Sequence, residues 1–202
     1  MGKPFLLRRA AAVTAPLRVD GEEGKEAGIQ IQYQFQKKDE YFTPACAVYP
    51  IMERLETGTV VWCPFDTAES EFVKVLSAHG FRVVYSHIST GQDFFSMAVP
   101  DCDYIVSNPP YSRKEQVIRR LYEIGRPFAM LLNFQGIFDS KGRFRLFHDN
   151  RIEMLWLSPR VNYIGEGKGN IKRVPFQSGY LCSGICKNQL EFAYLSDLGK
   201  EG

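Results

Sequence analysis

The sequence predicts an α/β domain: a mostly parallel sheet flanked by helices and ending in an antiparallel hairpin. Three observations carry this. Short β-branched and aromatic runs, "TVVWC" (59–63), "RVVYSHI" (82–88), "DYIVSN" (103–108) and "PFAMLLN" (127–133), are bounded by turn residues. Two stretches of helical period lie among them, at 68–80 and 113–125. Strands that alternate with helices in this way form parallel sheets, because each helix carries the chain back along a face. Beyond residue 150 come "RIEMLWLSP" (151–159), "GYLCSGICK" (179–187) and "EFAYL" (191–195), with no helix-length pattern between the last two. Those two are expected to pair as the closing hairpin.

The helices are justified residue by residue. In "AESEFVKVLSAHG" (68–80) the apolar Phe72, Val73, Val75 and Leu76 fall on one side, and Gly80 supplies a C-terminal stop. In "RKEQVIRRLYEIG" (113–125), Val117, Ile118, Leu121 and Tyr122 form the apolar side before Gly125. Earlier, Thr43 and Pro44 suit the N-cap and first position of another helix. The segments 133–150 and 160–178 read as insertions between strands.

Composition sets the limits. At 202 residues, 45% hydrophobic and 24% charged, the chain supports one well-packed domain. No apolar run approaches the ~20 residues that span a bilayer, so a soluble, cytoplasmic protein without a membrane partner is expected. Five scattered cysteines, odd in number, suit a reducing compartment, and Cys182 and Cys186 lack a second ligand pair, so no metal site is expected. The first nineteen residues hold Lys3, Arg8, Arg9 and Arg18 and no acid, and an acidic, Gly-rich stretch follows. Residues 1–30 therefore read as a flexible arm, with a transit peptide as the other reading, and 31–202 as one domain without a large recognition module. A net charge of +2 does not by itself indicate nucleic-acid binding.

The chemistry concentrates in "SNPPYS" (107–112), at the end of a strand and the start of a helix. Ligands of open α/β sheets collect beyond the carboxyl ends of the strands. Asn108 ends the strand, Pro109 and Pro110 hold the chain extended, and Tyr111 is expected to project over the crevice. The Asn108 oxygen and the Pro109 carbonyl can accept hydrogen bonds from one exocyclic amine, while Tyr111 offers a face for a planar base. A loop that merely stops a strand and starts a helix accounts for the same four residues.

The tetrapeptide Asn108-Pro109-Pro110-Tyr111 resembles the (D/N/S)-P-P-(Y/F/W) motif of S-adenosylmethionine-dependent amino-methyltransferases, in the NPPY form typical of enzymes acting on adenine N6. "DEYFTP" (39–44) is similar to that family's N-terminal cofactor segment, and together with "CPFDTAESEF" (63–72) it looks like the EcoRI-type adenine-specific branch, a restriction–modification group. "GQDFF" (91–95) resembles the segment whose acid takes the cofactor's adenine amine. The resemblance covers roughly 39–195 and implies a Rossmann-like methyltransferase fold. It implies S-adenosyl-L-methionine as cofactor, contacted by Tyr41, Phe42, Thr43, Pro44, Cys63, Pro64, Phe65, Asp66, Ser70, His87, Asp93, Phe94 and Asn108. One departure stands out: Cys63 replaces the family's usual acid, and the loop after it lacks glycines. Asp66 and Glu69 also suit a capping box, which can hold alongside a ligand role.

The implied activity is methyl transfer to adenine N6 in DNA, with the target base flipped out of the duplex. RNA as the polymer, or a module that binds without catalysis, are the alternatives. Nucleic-acid contacts are expected from Arg113 and Lys114 at the helix start and from Arg160, Lys168, Lys172 and Arg173 in the 160–178 loop, which an ordinary solvated loop would also explain.

Overall fold

The computed structural model describes residues 42–165, 171–172 and 174–195, so the expected arm at 1–30 lies outside it. In chain order come α1 (Ala45–Met52), β1 (Val60–Cys63), α2 (Glu71–Ala78), β2 (Arg82–Tyr85), β3 (Tyr104–Ser107), α3 (Lys114–Ile124) and β4 (Phe128–Asn133). They are followed by α4 (Lys141–Asp149), β5 (Glu153–Ser158), β6 (Tyr163–Ile164), β7 (Ile171–Lys172), β8 (Ser178–Ser183) and β9 (Leu190–Tyr194). Seven strands form one sheet in the order β2-β1-β3-β4-β8-β5-β9, and β6 and β7 form a separate antiparallel ribbon. Every strand of the large sheet runs the same way except β8, which is antiparallel to both of its neighbours. This is a Rossmann-like α/β fold.

Alternation along the strands divides the core in two. Val61, Cys63, Val106, Leu131 and Tyr180 face the layer of α1 and α2, where Val48, Ile51, Phe72 and Leu76 close the contact. Trp62, Ile105, Met130 and Leu181 face α3, whose Val117, Ile118 and Leu121 are buried. Burial of each of those three side chains contributes ~1.5–3 kcal/mol. The helix ends where the sequence places its stop: Gly125 adopts φ +72° and donates its N–H to Leu121 O at 3.1 Å.

Two differences from expectation have physical causes. The last two strands run in opposite directions, as a hairpin would, but β5 lies between them. β8 is buried along nearly its whole length, whereas β9 leaves Leu190, Phe192 and Tyr194 at 51%, 71% and 83% exposure. A strand apolar on both faces belongs inside a sheet, and an alternating strand tolerates the edge. The turn that leads from β8 toward the edge is held by the buried carboxylate of Glu153, which accepts from the amides of Gly184 and Ile185 at 3.0 Å each and of Cys186 at 2.6 Å. The second difference is α4, within the supposed insertion 133–150. Its N-cap Ser140 accepts from the amides of Gly142 and Arg143, but the helix buries no residue fully, so its sequence lacks a strong apolar period.

Candidate active site

Strand order reverses at β1 and β3: the chain moves from β1 outward to β2, then returns to place β3 on the other side of β1. A crevice opens beyond the carboxyl ends at such a point. Cys63 and Ser107 end these two strands. The Ser107 hydroxyl donates to the carboxyl of Asp66, and both residues are buried. Asp66 also holds its loop against β2, its N–H donating to Ser86 O at 3.1 Å, while Ser86 N–H donates to Cys63 O at 3.1 Å. The Trp62 indole N–H adds a bond to Ser86 Oγ at 3.0 Å.

Burial pushes the Asp66 carboxyl up to about 6, opposed by hydrogen bonds from Ser107 and Ser70. Burial also drives the Cys63 thiol well above its ordinary value, with the charge of Asp66 adding to the effect. Cys63 is thus a protonated thiol at neutral pH and no nucleophile. The capping-box reading is not realised. Helix α2 begins at Glu71 with Ser70 as its N-cap, Asp66 is committed to Ser107 and Ser70, and Glu69 is exposed and faces Lys74 at 3.7 Å.

The tetrapeptide follows directly from β3. Asn108 Nδ2 donates to Thr43 Oγ1 at 3.2 Å, which fastens the segment before α1 to the motif. Thr43 is buried and does not cap α1, which starts at Ala45 with Pro44 as its N-cap. Phe42 exchanges two backbone hydrogen bonds with Ile164, at 3.3 and 2.9 Å, and half of its surface stays exposed. Tyr111 does not stand out over the crevice as expected. It is half-buried, with its hydroxyl 2.7 Å from that of Tyr163, which donates to Ser178 Oγ at 2.9 Å. Its ring meets Phe176 edge-on at 5.7 Å, and the Lys114 ammonium lies 5.6 Å from its centre. A phenol near other hydroxyls satisfies its O–H there rather than in solvent, which draws the ring inward.

The remaining expected contacts divide. Asp93 Oδ1 accepts from the Phe95 amide at 3.0 Å, shaping its own turn. Phe94 belongs to the core, packed on Phe65 at 4.8 Å and Trp62 at 5.6 Å, while Phe65 and Pro64 continue the loop from Cys63. His87 N-caps a short 3-10 turn, accepting at Nδ1 from the Ser89 amide at 3.2 Å, so the neutral ring carries its proton on Nε2. Arg113 stacks on the Phe95 ring at 3.7 Å and donates to Gln116 at 2.7 Å. Lys114 donates to the carbonyls of Asn133 at 3.1 Å and Gln135 at 3.4 Å. Both cations are thus occupied in fixing the start of α3. Arg160 is exposed, and the backbone of Lys172 pairs with Tyr163 in the β6–β7 ribbon. Tyr41, Lys168, Arg173 and the Lys172 side chain lie outside the described residues.

Sequence reasoning missed Ser107 and the Tyr163–Ser178 pair. Ser107 had a signal: a hydroxyl at the buried end of an apolar strand needs a partner, and the acid two residues past "CP" in the neighbouring loop provides it. Among the described residues no group of His, Cys, Asp and Glu could hold a metal ion, and no helix is long and apolar enough to cross a membrane. What gathers at the crevice is an amide, a backbone carbonyl, hydroxyls, an aromatic ring and one buried carboxyl.

No protein-family model and no curated protein matches the sequence. Among solved structures, the chain is similar to a protein assigned as a modification subunit of a type I restriction enzyme from Vibrio vulnificus YJ016, with 11% identity and a TM-score of 0.49 over 82% of this chain and 50% of that one. It is also similar to the precorrin-6y C5,15-methyltransferase of Geobacter metallireducens GS-15, with 14% identity and a TM-score of 0.39 over 72% of this chain and 93% of that one. The chain therefore spans half the length of the first of these proteins. The strand order and pairing described above, not these likenesses, carry the fold.

Proposed function

We propose that the chain transfers a methyl group from S-adenosylmethionine to the exocyclic N6 amine of adenine in DNA. The observation that carries this reading is the Asn108 amide, set at the carboxyl end of β3 beside β1 and tied to Thr43 at 3.2 Å. With Nδ2 donating to Thr43, the other end of the amide is the acceptor Oδ1. Oδ1 and the Pro109 carbonyl are the acceptors a primary amine needs, and Tyr111 would offer its flat face to the ring once it turns outward from Tyr163 and Phe176.

The residues present suit the cofactor by their chemistry. Asp66 is a buried carboxyl whose partners are the Ser107 and Ser70 hydroxyls, and it complements an ammonium group such as that of methionine. Nε2–H of His87 suits a ribose hydroxyl, and Asp93 and Phe65 suit an adenine amine and ring. The bound cofactor supplies an electrophilic methyl on a sulfonium. The chain's own part is orientation. Asn108 and Pro109 hold the two amine hydrogens and draw the nitrogen lone pair out of conjugation, and the loop tied by Asp66 and Ser107 fixes where that nitrogen sits. The nitrogen gains the methyl as the sulfonium carbon–sulfur bond breaks, and the resulting cationic amine then sheds a proton to water, so no strongly tuned base is needed. In this reading 31–202 carries no large recognition domain, and the polymer is gripped through phosphates.

The deciding experiment offers radiolabelled S-adenosylmethionine with duplex DNA, single-stranded DNA and bulk RNA. The expected result is label on DNA, recovered as N6-methyladenine. Label on RNA alone would overturn the assignment of polymer, and label on neither would overturn the enzyme.

A further inference from the structure

The segment that leaves β4 returns to the candidate site. Lys114 holds Asn133 and Gln135, while Glu115 Oε2 accepts from Ser140 Oγ at 2.6 Å and faces Arg143 Nη1 at 3.9 Å. Loop 133–140 and the first turn of α4 are therefore fastened to the first turn of α3, directly after Tyr111. Arg143 is spent within the fold, donating to the carbonyls of Ile137 at 2.8 Å and Gly136 at 2.6 Å.

An open cleft of about 360 Å³ lies here, lined by Phe138, Asp139, Ser140, Lys141, Phe144 and Arg145. Phe138 and Phe144 are 53% and 63% exposed, and Lys141 and Arg145 are exposed beside them. Each ring is braced by one neighbour, Phe144 stacked on His148 at 6.1 Å and Phe138 edge-on to Phe147 at 5.6 Å. Among the described residues neither Lys141 nor Arg145 makes an ion pair. Asp139, the acid of the cleft, lies over Gly136, its Oδ2 3.2 Å from where a Cβ there would be. Exposed rings beside unneutralised cations match the two chemistries of a polynucleotide strand: bases stack on the rings, and phosphates meet the cations.

We infer that the Phe138–Arg145 cleft holds the single strand that flanks the target base, with Phe144 as a stacking platform and Lys141 and Arg145 on its phosphates. This rests on the reading of the chain as an enzyme that acts on a polynucleotide. The cleft sits on the same sheet edge as Asn108 because loop 133–140 leaves the carboxyl end of β4. A strand threaded there would run past Tyr111.

The test measures fluorescence anisotropy of a labelled single-stranded DNA oligonucleotide with the full chain and its variants. Phe144→Ala should weaken binding roughly 5- to 140-fold, the equivalent of one lost base stack of ~1–3 kcal/mol. Phe144→Leu should fail to restore it, since it keeps apolar bulk but no flat face. Lys141→Ala with Arg145→Ala should reduce the slope of log affinity against log salt by up to ~1.4, about 0.7 for each phosphate contact on a single strand. Cofactor affinity by calorimetry should stay unchanged in all three. Variants that bind the strand like the unmutated chain, or a Phe144→Leu variant that binds as well as the wild type, would overturn the cleft assignment and leave the methyl-transfer reading standing. Loss of strand binding in the variants, from a chain that methylates no polymer, would do the reverse.

Discussion

Replacing Asp66 by Asn should make the protein more stable at neutral pH and poorer at binding its cofactor. The carboxyl titrates at about 6 in the folded chain against an ordinary value of 3.8, chiefly because it is buried. Between those values the folded state binds more protons than the unfolded state, so stability falls as pH rises through that window. Above it, the ionised carboxylate costs up to about 3 kcal/mol, the free-energy equivalent of the difference between the two values. Asparagine keeps the volume, accepts from Ser107 and carries no charge. For a chain of this size, that cost corresponds to a melting temperature roughly 6–12 °C higher in the variant at pH 7. Thermal unfolding followed by circular dichroism from about pH 4 to pH 8 measures it, and the gap between variant and wild type should narrow toward the acid end. The same variant should bind S-adenosylmethionine roughly 10- to 140-fold more weakly, the loss of one charge-assisted contact of ~1.5–3 kcal/mol. A variant that is less stable at pH 7, or a gap that does not change with pH, would refute the picture of Asp66 as a desolvated carboxyl without a cationic partner.

Asn108→Ala should leave cofactor affinity close to that of the wild type while lowering single-turnover methyl transfer by orders of magnitude, because its contact matters most as the amine changes geometry. Ordinary turnover in that variant would remove the motif from the chemistry. Leu121→Ala opens a cavity under α3 and should cost ~2–5 kcal/mol in urea unfolding, since the side chain is fully buried between helix and sheet. Lys172→Ala together with Arg173→Ala should weaken DNA binding about equally for all sequences and flatten its salt dependence by up to roughly two charges, read from titrations at several ionic strengths. A change of sequence preference instead would mean that this loop reads bases.

The parts of this fold legible in the sequence were those governed by local period and punctuation. The runs at 59–63, 103–108 and 127–133 announced β1, β3 and β4 because their apolar residues are continuous, as expected for strands covered on both faces. Gly125 announced the end of α3 because a left-handed cap favours it. The position of β8 was not legible: pairing partners depend on which strand is buried on both faces, a property of the finished sheet rather than of 178–183 alone. At the site, "NPPY" gave its place at the end of β3, but side-chain partners drawn from distant segments stayed hidden. Thr43 reads locally as a helix cap, and only the approach of 42–44 to β3 turns its hydroxyl to Asn108. Asp66 and Glu69 read as a reciprocal cap for the same reason, until Ser107 arrives from another strand. Asp93 and Phe94 add contacts that the motif alone does not announce, an acceptor bond within the turn and a ring packed on Phe65.

The late arrival of β8 gives the molecule a seam. The block β2-β1-β3-β4, which carries the crevice, and the block β5-β9 touch in the sheet only through residues 178–183. As the chain leaves the ribosome, β4 presents a buried-type apolar edge with no partner until those residues have been made, and β5 waits for both of its neighbours. Long-range pairing of this kind is slow and leaves an adhesive edge open while it waits. Assembly of the sheet is thus delayed: the block that would hold a ligand is written before the strand that welds it to β5 and β9. The vulnerable interval falls within synthesis, in the roughly 3–10 s between the making of β4 and of β8, when a holding chaperone or an early ligand on the first block has the most to protect.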